Sequence, residues 1–303
     1  MKARFDIVAR RRWFFLLSGA ITVLGLAAFL LFGFNLGADF RAGSRVQMQL
    51  NEPVDVQKVR DMFDKIGLSV PQGGVTVAGT RNDMAVVRFP EVLTQDQIAK
   101  INQAEKQTFP KSAGADVRTV NPIVAQQTSR KAVWAVLLAS LFIVVYVSIR
   151  FEYRFAISGI VALLHDAFIV MSVFALLRLE VDLTFVAAIL TIVGYSINDT
   201  IVIFDRIREN LRIAKPRSFS DLERLVDKSL WQTMSRSINT VVTVLIAAVT
   251  LYFFGGQTIH NFNLALIVGL VSGAYSSIFI ASPLWVAWRG RQMRRSAPEK
   301  HPA

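Results

Sequence analysis

The sequence predicts an α-helical polytopic membrane protein with six transmembrane helices and one small α+β domain between the first and second helices. Three observations lead to this fold class. Of the 303 residues, 53% are hydrophobic and only 18% are charged, which is too apolar for an ordinary soluble domain. Apolar runs long enough to span a bilayer occur six times, and the basic residues outside the small domain lie almost entirely on one side of these runs.

Each apolar run approaches the roughly 20 residues that a helix needs to cross a hydrocarbon core of about 30 Å. We place the runs near 13–34, 131–149, 156–177, 183–204, 237–254 and 262–288. The first run follows a basic stretch, but it is longer than the apolar core of a signal peptide, about 7–15 residues, and no clear small-x-small cleavage pattern follows it. We therefore expect an uncleaved anchor.

The net charge of +12 reflects membrane topology rather than nucleic-acid binding. Arginine and lysine concentrate in four segments, residues 1–12, 150–155, 205–236 and 289–303. In the two loops on the other side, near 178–182 and 255–261, Arg178 is the only lysine or arginine. Because loops rich in lysine and arginine stay on the cytoplasmic side, we expect both termini and the basic loop 205–236 in the cytoplasm, and no nucleic-acid partner.

Cysteine is absent and histidine occurs three times. Disulfides, thiolate chemistry and cysteine-ligated metals are thereby excluded, and three histidines argue against a histidine-rich metal site. We expect neither a metal nor a cofactor.

Residues 35–130 form the predicted external domain, with the order strand, helix, strand, strand, helix, strand. The strands are RVQMQL, VTVAGT, MAVVRF and ADVRTVNPIV. Asp55 and Thr94 stand as N-cap residues before two stretches with apolar residues at helical spacing. This order is typical of the split βαβ, ferredoxin-like fold. Because the domain contains no histidine and no nucleophile paired with a base, the pattern favours binding or docking over catalysis.

Polar residues inside the apolar runs are the candidate functional residues. They are His165 and Asp166 in the third run, Asn198, Asp199 and Thr200 in the fourth, and Arg236, Asn239 and Thr243 at the start of the fifth. A charge in hydrocarbon costs about 2.5–3.5 kcal/mol on insertion scales, so intramembrane acids usually serve a function. We interpret Asp199 as a proton-binding carboxylate that pairs with Arg236; the alternative is a structural salt bridge between the two.

The other polar residues have two open interpretations, a polar relay or interhelical hydrogen bonding. They are His165, Asp166, Asn198, Thr200, Asn239 and Thr243. In the sixth run, Gly269, Gly273 and Ser277 follow the spacing of small residues at which two helices approach closely. We assign these three and Gly194 to helix packing.

At these residues the chain resembles the SecF family. The stretch VDLTFVAAILTIVGYSINDTIVIFDRIREN, residues 181–210, is similar to the family's signature. LLHDAFIVMSVFALL before it and TMSRSINT and LIVGLVSGAYSSIFIASPLW after it fit the family in the same order. The resemblance covers nearly the whole chain. One departure is the element DFRAG, where Ala42 stands in place of the glycine that is typical of the family's DF-x-GG element.

The resemblance implies a subunit that pairs with SecD, a larger subunit with the same six-helix plan, in a twelve-helix unit similar to RND transporters. It implies a location in the bacterial plasma membrane and association with the SecYEG channel, with YajC and YidC as accessory partners. The unit would use the proton gradient to pull preproteins across the membrane at a late stage, as a transport subunit rather than an enzyme. Asp199 of the NDT element and Arg236 of the SR-x-INT element match the family's proton pathway. The external domain would support the preprotein-capturing domain of SecD.

Two other functions remain open at this point. Half of an RND-type exporter for small molecules or lipids would share the intramembrane acid, although such exporters generally carry two large external domains and twice as many spans in one chain. A scaffold subunit without proton coupling would use Asp199 only for packing or for a salt bridge. Removal of the charge at Asp199 separates the scaffold from the proton-coupled subunit.

Overall fold

The computed structural model describes residues 5–37, 39–41, 43–71, 74–78, 82–256 and 259–295. In chain order the elements are α1 (Arg11–Phe32), β1 (Asn35–Leu36), β2 (Gly43–Gln49), α2 (Val56–Lys65), β3 (Val75–Ala78), β4 (Met84–Phe89), α3 (Gln95–Thr108), β5 (Ala115–Val120), α4 (Pro122–Arg150), α5 (Tyr153–Leu176), β6 (Glu180–Val181), α6 (Leu183–Ala214), α7 (Phe219–Phe254), α8 (His260–Ser276), a π-helical segment (Ser277–Ala281) and α9 (Ser282–Arg295). They fall into two compact units, Met1–Asn35 with Ala135–Ala303, called here the membrane unit, and Leu36–Trp134, called the α+β unit.

The predicted α-helical membrane fold is confirmed. Six helices of the described chain are long and apolar enough to cross a membrane, and they contain the six apolar runs almost entirely. The last of them runs through α8, the π-helical segment and the first part of α9.

In the α+β unit, four antiparallel strands lie in the order β3, β4, β2, β5. Val46 of the central strand β2 is opposite Val87 on one side and Val117 on the other. It is fully buried, together with Val59 of α2 and Ile101 of α3. Both helices therefore pack on one face of the sheet, and the element order agrees with the sequence-based expectation.

The two helices of this unit begin at the predicted caps. The Asp55 carboxylate accepts hydrogen bonds from the backbone N–H groups of Gln57 and Lys58, at 2.9 and 3.2 Å. Thr94 and Gln97 form a reciprocal capping box. Each cap satisfies backbone donors that the first helical turn leaves open, which stabilises a helix by about 1 kcal/mol.

The predicted closing strand was too long, and the predicted second span was too short. β5 ends at Val120, and α4 begins at Pro122. The Asn121 side chain accepts a hydrogen bond from the N–H of Ile123 at 2.9 Å. Proline suits the first helical position because its missing N–H would have no partner there. The apolar run 131–149 is thus only the later part of a longer helix.

The basic segment 205–236 was expected to be a loop and is mostly helical. α6 continues to Ala214, and α7 begins at Phe219 after a capping box formed by Ser218 and Asp221. Leu222 and Val226 are buried on one face of this part of α7. Hydropathy marks where an apolar stretch ends, whereas an amphipathic helix continues with its polar face outward.

Gly43 opens β2 at a position that requires glycine. Its φ is +127°, and a Cβ there would lie 2.2 Å from the carbonyl oxygen of Phe89 on the paired strand β4. Glycine is therefore the residue that this close backbone approach accepts. Ala42, the departure in the DFRAG element, lies outside the described residues.

Candidate functional site

Asp199 lies on α6, and its carboxylate faces α7. The side chain is partly buried, and its Oδ2 is a buried atom for which the described part of the chain provides no hydrogen-bond partner. The α7 residues that interact with the carboxylate are Ser237 and Arg236. An acid with an open oxygen near a cationic side chain, here Arg236, has the features that a proton-exchanging group needs.

A small cavity of about 20 Å³ borders this carboxylate. Its walls include Ser196, Asn198 and Asp199 of α6, Thr240 of α7, and Gly269 and Gly273 of α8. A cavity of at least about 10–15 Å³ has the volume to hold one water molecule. The cavity thus has room for one water beside the acid.

Arg236 is exposed on α7. No salt bridge joins it to Asp199 within the described ranges of the chain, although Arg236 is close enough to act on the carboxylate electrostatically. In this structure Arg236 therefore acts on Asp199 through its charge at longer range and forms no salt bridge with it. Asn239 and Thr243 are also exposed, and Thr243 Oγ1 donates to the Thr240 carbonyl of its own helix at 2.8 Å.

Asp166 of α5 is buried and accepts hydrogen bonds from two other helices. Its side chain is 1% exposed and accepts hydrogen bonds from Ser196 of α6 and from Ser272 and Ser276 of α8, each at 2.6 Å. His165 places Nδ1 3.3 Å from Asp166 Oδ1. These contacts join three helices at one carboxylate.

Thr200 connects α6 to the π-helical segment. Its hydroxyl lies 2.8 Å from Ser277 Oγ and 3.1 Å from the carbonyl oxygen of Ser196. Thr200 and Ser277 are both buried. The structure thus gives these two residues interhelical bonds, whereas Asn198 has an exposed side chain.

The packing glycines differ from one another. A Cβ on Gly269 would lie 2.4 Å from the Ile192 side chain, and one on Gly273 would lie 3.3 Å from the Cβ of Ser196. Both glycines therefore allow α8 to approach α6 closely. The packing role assigned to Gly194 stays a prediction. Gly194 is exposed, and a Cβ there would meet no heavy atom within 4 Å, because it lies on the side of α6 that no helix of the described chain covers.

The serines around Asp166 were not among the candidate residues from the sequence. Ser272 and Ser276 are four residues apart, so they share one face of α8. Ser196 comes three residues before Asp199. A search for small polar residues at helical spacing inside apolar runs would have found all three. Within the described residues, no group of three or more His, Asp or Glu side chains is arranged to hold a metal ion.

Comparison with known proteins agrees with this architecture. The family "Protein export membrane protein SecD/SecF, C-terminal" matches residues 100–291. The "SecD/SecF GG Motif" matches residues 27–54, which include Gly43. The first match alone covers more than half of the chain.

Relatives of known name match almost the whole chain. The protein translocase subunit SecF of Alicyclobacillus acidocaldarius is 64% identical over 98% of this chain and 96% of its own length. The protein translocase subunit SecDF of Bacillus subtilis is 45% identical, over 98% of this chain and 40% of the longer protein.

A solved structure shows the same fold. The crystal structure of SecDF from Thermus thermophilus, described as a translocon-associated membrane protein, superposes with a TM-score of 0.84 at 32% identity. The superposition covers 96% of this chain and 39% of that one. Family match, full-length relatives and fold agree: the chain belongs to the SecD/SecF family of protein export membrane proteins, and within it to the SecF type.

Proposed function

We propose that this chain works with SecD to drive late stages of preprotein translocation across the bacterial plasma membrane, and that Asp199 takes up and releases the driving proton. The observation that carries the proposal is the Asp199 carboxylate. It is partly buried within a membrane helix, has an open oxygen, borders a cavity and lies near Arg236. The names of the relatives support a role in protein export.

The proton gradient supplies enough free energy for such a role. One charge that moves through about 100 mV releases about 2.3 kcal/mol. That free energy shifts a two-state equilibrium about fifty-fold. Protonation would remove the charge that attracts Arg236, so α6 and α7 would prefer a different packing in each protonation state, and the α+β unit would move in response.

The partners and the location follow from the same proposal. The SecDF relative carries a region similar to this chain within a longer protein, which supports SecD as the partner. SecYEG, YajC and YidC are the further partners that we propose. Both termini and the basic segment 205–236 would lie in the cytoplasm, on the side that positive charges favour.

The test is translocation of a preprotein into vesicles with ATP, with and without a proton gradient. We expect Asp199→Asn to abolish the stimulation by the gradient, because the amide cannot exchange a proton, and to leave the ATP-driven part unchanged. The matched control is Asp205→Asn on the same helix. Asp205 is 41% exposed and lies 3.4 Å from Arg150, so its loss should leave the stimulation intact.

Expression and assembly with SecD are measured for both variants. Unchanged stimulation in an assembled Asp199→Asn complex contradicts the proposal and favours the scaffold. If cells that lack this chain become sensitive to dyes and detergents but do not accumulate secretory precursors, the exporter is favoured.

A further inference from the structure

The buried carboxylate of Asp166 has a bonding pattern that the proposed proton exchange at Asp199 does not use. Ser196 and Ser276 donate to Oδ2, and Ser272 donates to Oδ1. Each serine hydroxyl has a single proton to donate, and an ionised carboxylate is purely an acceptor with about four lone-pair sites. Ser276 Oγ also lies 3.3 Å from the carbonyl oxygen of Gly273, which is a second acceptor for its proton. Donors from two neighbouring helices match an anion, and such charge-assisted hydrogen bonds are short and strong.

The other titratable groups near this carboxylate lie on the same three helices. His165 is adjacent on α5, and its ring is 6.4 Å from the ring of Tyr275 on α8. Asp199 lies on α6 but faces α7.

Ser196 lies near both acids. It lies three residues before Asp199 on α6, donates to Asp166, and also lines the Asp199 cavity. The face of α6 that carries Ser196 packs closely on α8, where Gly269 leaves room for Ile192. Three residues correspond to about 300° around a helix, so the two side chains lie on adjacent faces.

α7 packs against both α6 and α8, but its polar residues at the cavity are bonded differently from Ser196. α7 presents the exposed residues Arg236, Asn239 and Thr240 in the region of the cavity. Thr240 donates its hydroxyl proton to Arg236 O within its own helix. α6 is bonded to α7 through Asn210, which donates to Ser229 and Gln232 at 2.8 Å, about three turns beyond Asp199.

We propose that Asp166 is a positioning residue: as an anion it fastens α6 to α5 and α8, so that proton exchange at Asp199 moves α7 against a fixed block of these three helices. This inference rests on the proposed function, because it assigns the moving and the fixed side of the same site.

Engineered cysteine pairs test which interface moves, and the natural chain contains no cysteine to interfere. The first pair, Ile192→Cys with Gly269→Cys, joins α6 to α8. The second, Tyr195→Cys with Val241→Cys, joins α6 to α7 at the cavity wall. In the complex with SecD, we expect cross-linking of the first pair to leave the gradient stimulation intact. Cross-linking of the second should abolish it, and reduction should restore it.

Each pair serves as its own control, because the stimulation of the cross-linked protein is compared with that of the same variant after reduction. Stimulation that survives in the α6–α7 cross-linked protein, or that is lost in the α6–α8 cross-linked protein, overturns the inference.

Substitutions at the carboxylate test the hydrogen bonds themselves. Asp166→Asn should reduce the gradient stimulation at least severalfold and make cross-linking of the α6–α8 pair depend on the gradient. Ser272→Ala should reduce stimulation more than Ser272→Thr, which keeps the hydroxyl. A purely packing role predicts the reverse order, because threonine adds volume at a buried site.

Infrared spectroscopy supplies a readout independent of transport. A protonated carboxyl band that disappears in Asp166→Asn shows that Asp166 is not an anion and overturns the inference. If Asp199→Asn abolishes the stimulation and Asp166→Asn changes nothing, the inference alone fails. If Asp199→Asn itself leaves the stimulation unchanged, the proposed function fails with it.

Discussion

At the residue scale, Glu105 of the α+β unit is a carboxyl group that folding places at 0% exposure. Burial raises its pKa above the ordinary value of 4.5, against the opposing effect of the Ser112 hydroxyl that donates to it. A raised folded-state pKa means that the folded unit binds a proton more tightly than the unfolded chain. The contribution of Glu105 to stability is therefore fully present below about pH 4.5, and it is lost as the pH rises through the folded-state pKa.

We expect Glu105→Gln to stabilise the α+β unit at pH 7 and to flatten this pH dependence. The gain should be about 1 kcal/mol, the usual scale for a single buried polar group. Amide hydrogen exchange of β2 in the full chain, corrected for intrinsic rates, measures the free energy of opening between pH 5 and 8. Glu91→Gln, at an exposed position, is the control, and an equal gain from both variants would contradict the explanation.

At the scale of elements, the first half of α7 binds the residues that precede α1. Ile7 and Val8 are buried, and the N–H of Val8 donates to Asp227 at 3.0 Å. Trp231 donates from its indole nitrogen to the carbonyl oxygen of Phe5 at 3.2 Å. Residues 5–8 thus pack against the amphipathic first half of α7, which hydropathy did not indicate.

We expect Asp227→Ala to release this segment, because the buried N–H of Val8 loses its acceptor at a cost of about 1–3 kcal/mol. Asp227→Asn keeps an acceptor oxygen and should have a smaller effect. Protection of the Val8 amide from hydrogen exchange measures the release. Glu223→Ala removes a more exposed partner, the one that pairs with Arg11 at 2.5 Å, and should matter less; a larger effect there would show that the ion pair holds the segment.

At the scale of the whole molecule, the membrane helices differ in how much of their apolar surface the chain itself covers. Within the most apolar 18-residue stretch of each span, 61% of the last span is buried, but only 6% of α4 and 11% of α7. A helix that is apolar and uncovered in a membrane protein contacts lipid or another helix. α4 and α7 therefore present most of their apolar surface to lipid or to helices of another chain.

The proposed topology predicts the side on which each segment is labelled. Single cysteines replace the exposed residues Lys65 in the α+β unit and Arg217 between α6 and α7. In intact spheroplasts, an impermeant maleimide should label Lys65→Cys fully and Arg217→Cys only after permeabilisation. The opposite pattern would invert the proposed orientation, and the unlabelled natural chain is the control.

Much of the architecture was predictable from the sequence because its causes are local. Six apolar runs indicated six membrane helices, and Asp55 and Thr94 marked the starts of α2 and α3. The start of α4 and the helical nature of 205–236 were not predicted. In both cases a helix extends beyond its apolar stretch, and hydropathy does not detect a helix that continues in polar surroundings.

The sequence by itself determined that acids lie inside the membrane helices, since Asp166 and Asp199 both stand in apolar runs. Only the tertiary structure decided which of them is fully bonded and which has an open oxygen. The donors to Asp166 are 30, 106 and 110 residues away along the chain. Whether a buried carboxylate finds hydrogen-bond partners depends on the packing of distant helices, and local spacing carries no information about that packing.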